Sequence, residues 1–371
     1  MDIFKIEKKK LGQLLDKLRE EYTVFAPLES EGIISFAEIP DSSKGASEGS
    51  HLPSFDIYNT DKPPKDIFFP QTETLFTYDK SASVGSHLPS EEDIKLSTYR
   101  GKPIAFFGVR PCDAKSFTLL DKVFDSEKYT DTYWKARYNS PLFFTLACNN
   151  PLSTCFCNWV GGGPFNKDGA DIFLIDIGEA FLVEPCSERG VETVHKLPLQ
   201  EATQNDLKKG KSLKKEAESI MSNDIELTSL KKDLDALWDN PIWEGIARKC
   251  LNCAACTYFC PTCHCFDIQD EGKGSKGKRI RIWDSCMSKL FTQEAAGTNP
   301  RPTGKERIRQ RIMHKFNYLV ETIGEFGCVG CGRCIKSCPV NLDVREIIKE
   351  IKNVGQGFSL AKVHRELEDG N

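Results

Sequence analysis

Two cysteine runs with the same spacing constrain this chain more than any other feature of its 371 residues. Each run has the pattern C-x2-C-x2-C-x3-C followed by proline: Cys250, Cys253, Cys256, Cys260 and Pro261, then Cys328, Cys331, Cys334, Cys338 and Pro339. Thiolates at this spacing are typical ligands of a [4Fe–4S] cluster. Proline disfavours helix in the residue before it and so ends each ligand helix. The runs predict two clusters and a function in electron transfer.

The fourth cysteine of each run faces away from the turn that carries the other three. In two-cluster proteins it binds the other cluster. We therefore expect one cluster on Cys250, Cys253, Cys256 and Cys338, and a second on Cys328, Cys331, Cys334 and Cys260. Zinc is the alternative, because it also binds C-x2-C pairs. A zinc site takes four ligands, however, and gives no reason for two complete copies of a proline-ended pattern.

Composition restricts the class of protein further. The net charge of −4 gives no general reason to bind nucleic acid, and no run of 18 apolar residues predicts a membrane span. The first ten residues lack the apolar segment of a signal peptide. In such a chain, sixteen cysteines indicate metal binding in a reducing compartment rather than disulfides. We therefore expect a cytoplasmic protein with anaerobic chemistry.

Strand patterns dominate the first half of the chain and helix patterns the second. We predict buried strands at 103–109 and 141–147, a hairpin formed by 172–177 and 180–183, and a helix over 305–323. Asp113 is a candidate N-cap for the helix after the first of these strands. The expected fold is α+β, with a mixed α/β domain over residues 1–235. An α-helical ferredoxin-type domain with two [4Fe–4S] clusters follows over 236–371, because the insert between the two cysteine runs is long and contains helix-like stretches.

Four more cysteines follow predicted strands or lie in the next loop: Cys112, Cys148, Cys155 and Cys157. Strand ends and one loop can bring four thiols to a sheet edge, and four is the number that a third [4Fe–4S] cluster needs. Arg110 and Lys115 could neutralise its charge. The alternative is that these are buried free cysteines, which behave as small apolar residues. We favour the third cluster.

The remaining cysteines are less informative. Cys263, Cys265 and Cys286, with His264, could bind a separate metal ion. We favour a different role, in which they pack beside a cluster and tune it through hydrogen bonds. Cys186 stands alone after the predicted hairpin and is expected to be inert.

Basic residues are frequent between the two runs: Lys273, Lys276, Lys278, Arg279, Arg281, Arg301, Lys305, Arg307, Arg309 and Arg311. They predict either a solvated face or a docking surface for an acidic electron-transfer partner. No nucleic-acid recognition motif accompanies them. The chain also lacks the G-x-G-x-x-G, P-loop, G-x-S-x-G and H-E-x-x-H motifs. It therefore shows no site of its own for a nicotinamide or flavin, and we assign no catalytic residue.

Several motifs together resemble one family, the beta (electron-transfer) subunit of cytosolic sulfhydrogenases and the closely similar iron–sulfur subunit of anaerobic sulfite reductase. The motifs that carry the resemblance are the segments 107–113, 155–157, 250–265, 281–286, 301–303 and 328–334. The resemblance implies a 4Fe–4S dicluster subunit. Such a subunit passes electrons between a flavin subunit that reacts with NAD(P)H and a catalytic oxidoreductase subunit. It does not choose between hydrogenase and sulfite reductase partners.

The leading hypothesis is therefore a non-catalytic iron–sulfur electron-transfer subunit of a cytoplasmic oxidoreductase complex. One alternative is a stand-alone enzyme whose substrate binds at an open iron of the N-terminal cysteine set. Another is a cluster-bearing structural or sensor protein.

Overall fold

A computed structural model describes residues 3–39, 59–79, 94–221 and 225–355 of the chain. These residues form twelve strands, which are β1 (Phe4–Glu7), β2 (Thr23–Ser30), β3 (Ile33–Glu38), β4 (Thr72–Asp79), β5 (Ile94–Leu96), β6 (Ile104–Val109), β7 (Leu142–Leu146), β8 (Ile172–Asp176), β9 (Ala180–Pro185), β10 (Gln200–Glu201), β11 (Phe266–Lys273) and β12 (Lys276–Trp283).

The helices of the described residues are α1 (Leu11–Glu21), α2 (Pro111–Phe124), α3 (Thr132–Arg137), α4 (Glu188–Val194), α5 (Gln204–Ile220), α6 (Leu230–Ala236), α7 (Ile242–Arg248), α8 (Ala255–Tyr258), α9 (Gly304–Met313), α10 (Leu319–Ile323), α11 (Arg333–Lys336) and a final helix over residues 344–355. Both element types are present, as predicted. None of these helices combines the length and apolar character that crossing a bilayer requires.

The larger sheet has eight strands in the order β10-β1-β9-β8-β7-β6-β2-β3. Its centre, from β2 to β8, is parallel, and the remaining pairs are antiparallel. Every residue of β6 and β7 is buried, which is the pattern of central parallel strands covered on both faces. The predicted strands at 103–109 and 141–147 and the predicted hairpin of β8 and β9 are confirmed.

A second sheet contradicts the expectation that the insert is helical throughout. β11 and β12 form a hairpin, and β12 pairs with β4 in the order β11-β12-β4-β5. The residues from Arg279 to Ile282 alternate basic and apolar side chains, which is the period of a half-buried strand. The expected division after residue 235 falls near the end of α6, and residues from both sides build this sheet. The division into two domains stays a prediction.

The helix predicted over 305–323 is confirmed, with one irregularity. α9 and α10 are joined by a π-helical turn over His314–Tyr318. Such turns occur often at functional sites. This segment packs with α6, α7 and the final helix around a core that includes Trp243, Ile312 and Phe316, and half-buried cysteines of both runs lie against that core.

Candidate iron–sulfur site

The first cysteine run forms a tight turn that opens into a cavity. Asn252 and Ala254 both have left-handed φ angles, 57° and 65°, and α8 starts immediately afterwards. The cavity beside this turn has about 440 Å³ of space not filled by protein, part of it open to solvent. Its lining includes five cysteines: Cys250, Cys253, Cys256, Cys334 and Cys338.

The second run surrounds another cavity, of about 350 Å³ on the same measure. Cys260, Cys328, Cys331 and Cys334 line it. The turn of this run relies on Gly330 and Gly332, whose φ angles are 62° and 76°. The structure thus brings all eight cysteines of the two runs to the cavity walls. Seven of them line one cavity or the other, and Cys334 lines both.

Arg311 lies between the two cavities and lines both. Its side chain is buried, with 5 % relative exposure, and its Nε has no hydrogen-bond partner. Within the described residues, Arg311 forms no ion pair with a carboxylate. Burial alone would lower the pKa of this guanidinium, but the nearby cysteines, Cys256 and Cys334 foremost, raise it. The neighbours that favour its charge are therefore sulfur atoms.

Lys315, in the π-helical turn, is a second buried cation. Its Nζ lies 3.2 Å from the Sγ of Cys260 and donates to the Gly327 carbonyl at 2.9 Å and the Thr262 hydroxyl at 3.0 Å. A hydrogen bond from the Cys263 thiol, together with this ammonium, holds the pKa of Cys260 well below its usual value. Cys260 is therefore prepared to act as a thiolate ligand.

These features test whether an anionic metal cluster fits the two cavities. A buried cation without a counter-charge is costly, and neither Arg311 nor Lys315 is paired with a carboxylate in the described part of the chain. Thiolates on iron–sulfur clusters supply negative charge at such positions. The donor set, the cavities and the buried cations all fit [4Fe–4S] clusters. Neither Arg311 nor Lys315 was predicted to have this role. Their signal is the i, i+4 repeat of basic residues beside Ile308, Ile312 and Phe316 on the apolar stripe of one helix.

The four cysteines of the predicted third set lie together at the end of the parallel strands. Cys112 begins α2 after β6, Cys148 follows β7, and Cys155 and Cys157 flank the buried Phe156. Burial raises the pKa of Cys157 to about 12, and the neighbouring Cys155 and Cys148 contribute to this rise. The Arg110 guanidinium donates to the carbonyl of Ala147, next to Cys148, at 2.6 Å.

This third set touches the second cysteine run. The Phe156 amide donates to the Gly330 carbonyl at 2.8 Å, and the Cys155 thiol lies 3.7 Å from the Cys331 carbonyl. A Cβ atom on Gly330 would lie 2.4 Å from the Cys157 nitrogen. Only glycine permits this approach of the two loops.

A buried ion pair joins the same two regions. Arg333 donates to both carboxylate oxygens of Asp113, at 2.6 and 2.7 Å, and also to the carbonyl and hydroxyl of Thr60. The prediction that Asp113 caps α2 was wrong, because Arg110 is the N-cap residue and Asp113 lies inside the first turn. Its carboxylate binds Arg333 instead, a contact between residues 220 positions apart that no local pattern reveals.

Cys263, Cys265, Cys286 and His264 lie beside the two runs. The thiols of Cys265 and Cys286 hydrogen-bond to each other, and this bond lowers the pKa of Cys265 to about 6. Burial lowers the pKa of His264 to about 4. Among the described residues, no three His, Cys, Asp or Glu side chains are gathered as ligands of a single metal ion would be. Burial raises the pKa of Cys186 to about 11; this cysteine packs apart, against the core that includes Phe173.

The expected continuous basic face is wrong for most of its residues. Arg281 is buried in ion pairs with Glu73 and Asp131. Arg307 and Arg311 are buried as well. Exposed or partly exposed members form ion pairs, namely Lys276 with Asp79, Lys278 with Glu271, Arg279 with Asp270, Lys305 with Glu244 and Arg309 with Asp239. Most of this charge is therefore neutralised locally.

A surface cavity of about 580 Å³ lies beside the third cysteine set. Cys155, Trp159, Met221, Arg345 and Lys349 are among its lining residues. Its volume is within the range of small-molecule sites.

Comparison with known proteins agrees with these features. Residues 249–342, which hold both runs, match the family described as "4Fe-4S dicluster domain". The chain is 29 % identical over 355 residues to Sulfhydrogenase 2 subunit beta of Pyrococcus furiosus, covering 95 % of this chain and 99 % of that protein. No solved structure matches. The resemblance predicted from the motifs is confirmed: this is a 4Fe–4S dicluster domain protein, similar over nearly its whole length to a sulfhydrogenase beta subunit.

Proposed function

We propose that the chain is the iron–sulfur subunit that relays electrons between a flavin subunit reacting with NAD(P)H and a catalytic subunit of a cytoplasmic oxidoreductase complex. The observation that carries the proposal is the pair of cysteine-lined cavities joined by Arg311 and Cys334. Bound [4Fe–4S] clusters supply one-electron transfer. The name of the relative, a subunit of a sulfhydrogenase, supports a role within an assembly.

The proposed ligands follow the lining of the cavities. Cys250, Cys253, Cys256 and Cys338 would hold one cluster, and Cys260, Cys328, Cys331 and Cys334 the other. Cys112, Cys148, Cys155 and Cys157 would hold a third. Arg311 and Lys315 would balance the negative charge of the first two groups, and Arg110 that of the third.

Anaerobic iron and sulfide analysis tests the number of clusters. Three cubanes require about twelve iron atoms per chain, and two require about eight. Replacing Cys155 with Ala should remove about four, while Cys186→Ala, the matched control outside the sets, should remove none. Zinc without iron in the purified chain would overturn the proposal.

Reduction by NAD(P)H tests the relay itself. The isolated holoprotein should keep its oxidised absorption near 400 nm with NADH or NADPH, roughly where thiolate-bound clusters absorb. It should bleach only when a flavoprotein partner is added. Bleaching without a partner would instead favour the second candidate, a stand-alone enzyme. The cavity beside Cys155 is the observation that supports this second candidate.

A further inference from the structure

The two cysteine-lined cavities differ in their access to solvent. The lining of the second cavity, which includes Cys260, Cys331 and Arg311, contains no exposed residue. Three residues that line the first cavity are exposed: Leu251, Cys253 and Pro339. An electron that enters this pair of cavities from outside therefore has its shortest route at the mouth of the first.

Cys253 is held outward by its turn. It is exposed, unlike the other fifteen cysteines of the chain. The left-handed residues on either side of it, Asn252 and Ala254, adopt a conformation that costs an L-residue roughly 1–2 kcal/mol. Arg307 stabilises the turn by donating to the Asn252 side chain at 3.3 Å and to the Arg301 carbonyl at 3.1 Å. Backbone strain of this kind persists where the surrounding structure enforces it.

An apolar centre and free cations surround the exposed thiol. Leu251 is 65 % exposed, which is unusual for a leucine beside a turn that packs on the core. Arg248, Lys249 and Arg301 form no ion pair with any carboxylate in the part of the chain that the structure describes. The basic residues of the β11–β12 hairpin, in contrast, are mostly paired. We call these six residues, Arg248, Lys249, Leu251, Cys253, Arg301 and Pro339, the Cys253 face.

We propose that the Cys253 face is the docking surface for the acidic face of an electron-transfer protein with its own redox group. The inference rests on the function proposed above. Unpaired cations around a small apolar centre attract an acidic partner and orient it, while the apolar contact excludes water. One electron leaves the reduced group of the partner and reduces the group held at the first cavity. No bond forms or breaks, and no proton is needed.

The test uses the cluster-loaded chain and, as probe, a reduced two-cluster bacterial-type ferredoxin, a small acidic protein. Stopped-flow absorbance under anaerobic conditions gives the second-order rate of electron transfer at several salt concentrations. Lys249→Glu should slow this rate at least tenfold at low salt and flatten its salt dependence. Leu251→Ser should slow it at high salt also. Lys278→Glu is the matched control, because it changes net charge equally but lies on the hairpin.

The outcomes separate the docking surface from the function. An unchanged rate in Lys249→Glu, or an equal loss in Lys278→Glu, would overturn the docking proposal. The extent of reduction by dithionite is measured on each variant and should stay complete. If dithionite does not reduce even the unaltered chain, the relay function itself fails.

Discussion

The buried ion pair between Asp113 and Arg333 gives the sharpest stability prediction. The two side chains are 1 % and 3 % exposed and share two hydrogen bonds. Removing one partner of a buried pair leaves an uncompensated charge and typically costs about 3–5 kcal/mol. Thr60 retains two hydrogen bonds to the guanidinium, which favours the lower part of that range. We therefore expect Asp113→Ala to destabilise the chain by about 3 kcal/mol.

Anaerobic urea unfolding followed by far-UV circular dichroism measures this loss. With a slope of about 3 kcal/mol per M, a loss of about 3 kcal/mol lowers the midpoint by about 1 M. Removing the exposed pair of Lys349 and Glu346 is the control and should cost about 1 kcal/mol or less. The double variant Asp113→Leu/Arg333→Met should recover much of the loss, because two apolar side chains leave no buried charge. A midpoint for Asp113→Ala equal to that of the surface control would refute the reasoning.

The remaining predictions concern single positions. Gly330→Ala should disrupt the contact with Cys157 and lower the iron content, whereas Gly245→Ala, with open space around it in α7, should leave the iron content unchanged. Arg311→Gln should shift the midpoint potentials of two clusters to more negative values in an anaerobic EPR titration, and Lys315→Gln chiefly that of the cluster at Cys260, since a removed cation disfavours the reduced state. Burial lowers the pKa of His264 below its unfolded value, so unfolded chains bind more protons between about pH 6.5 and the folded pKa of about 4. Stability should fall as the pH is lowered across that window, and His264→Gln should make the fall shallower in acid titrations followed by circular dichroism.

Local patterns predicted what local physics determines. The buried strands β6 and β7 are continuous apolar runs, and the hairpin of β8 and β9 has a short turn, so their sequences contain enough information. The two cysteine runs likewise carry their spacing within eleven residues each. These features depend little on the rest of the chain.

Long-range contacts could not be predicted in the same way. The pairing of β12 with β4 joins segments about 200 residues apart, and nothing in either strand specifies the other. The basic residues of the hairpin were interpreted as a face, but Arg281 is buried against Glu73, 208 positions away. Charge on a sequence shows what a residue carries; only the tertiary structure shows which charges are already paired.

The contacts around Gly330 also explain how the proposed sites form one path. The exposed Cys253 lines the first cavity, Arg311 and Cys334 line the first and second, and the loop of Cys331 touches that of Cys155. Cys155 in turn lines the surface cavity with Trp159 and Arg345. A path with an opening at each end suits a subunit between two partners better than an enzyme with one substrate site. The pair of Asp113 and Arg333 fixes the junction between the second and third cysteine sets, so its loss should affect the passage of electrons as well as folding.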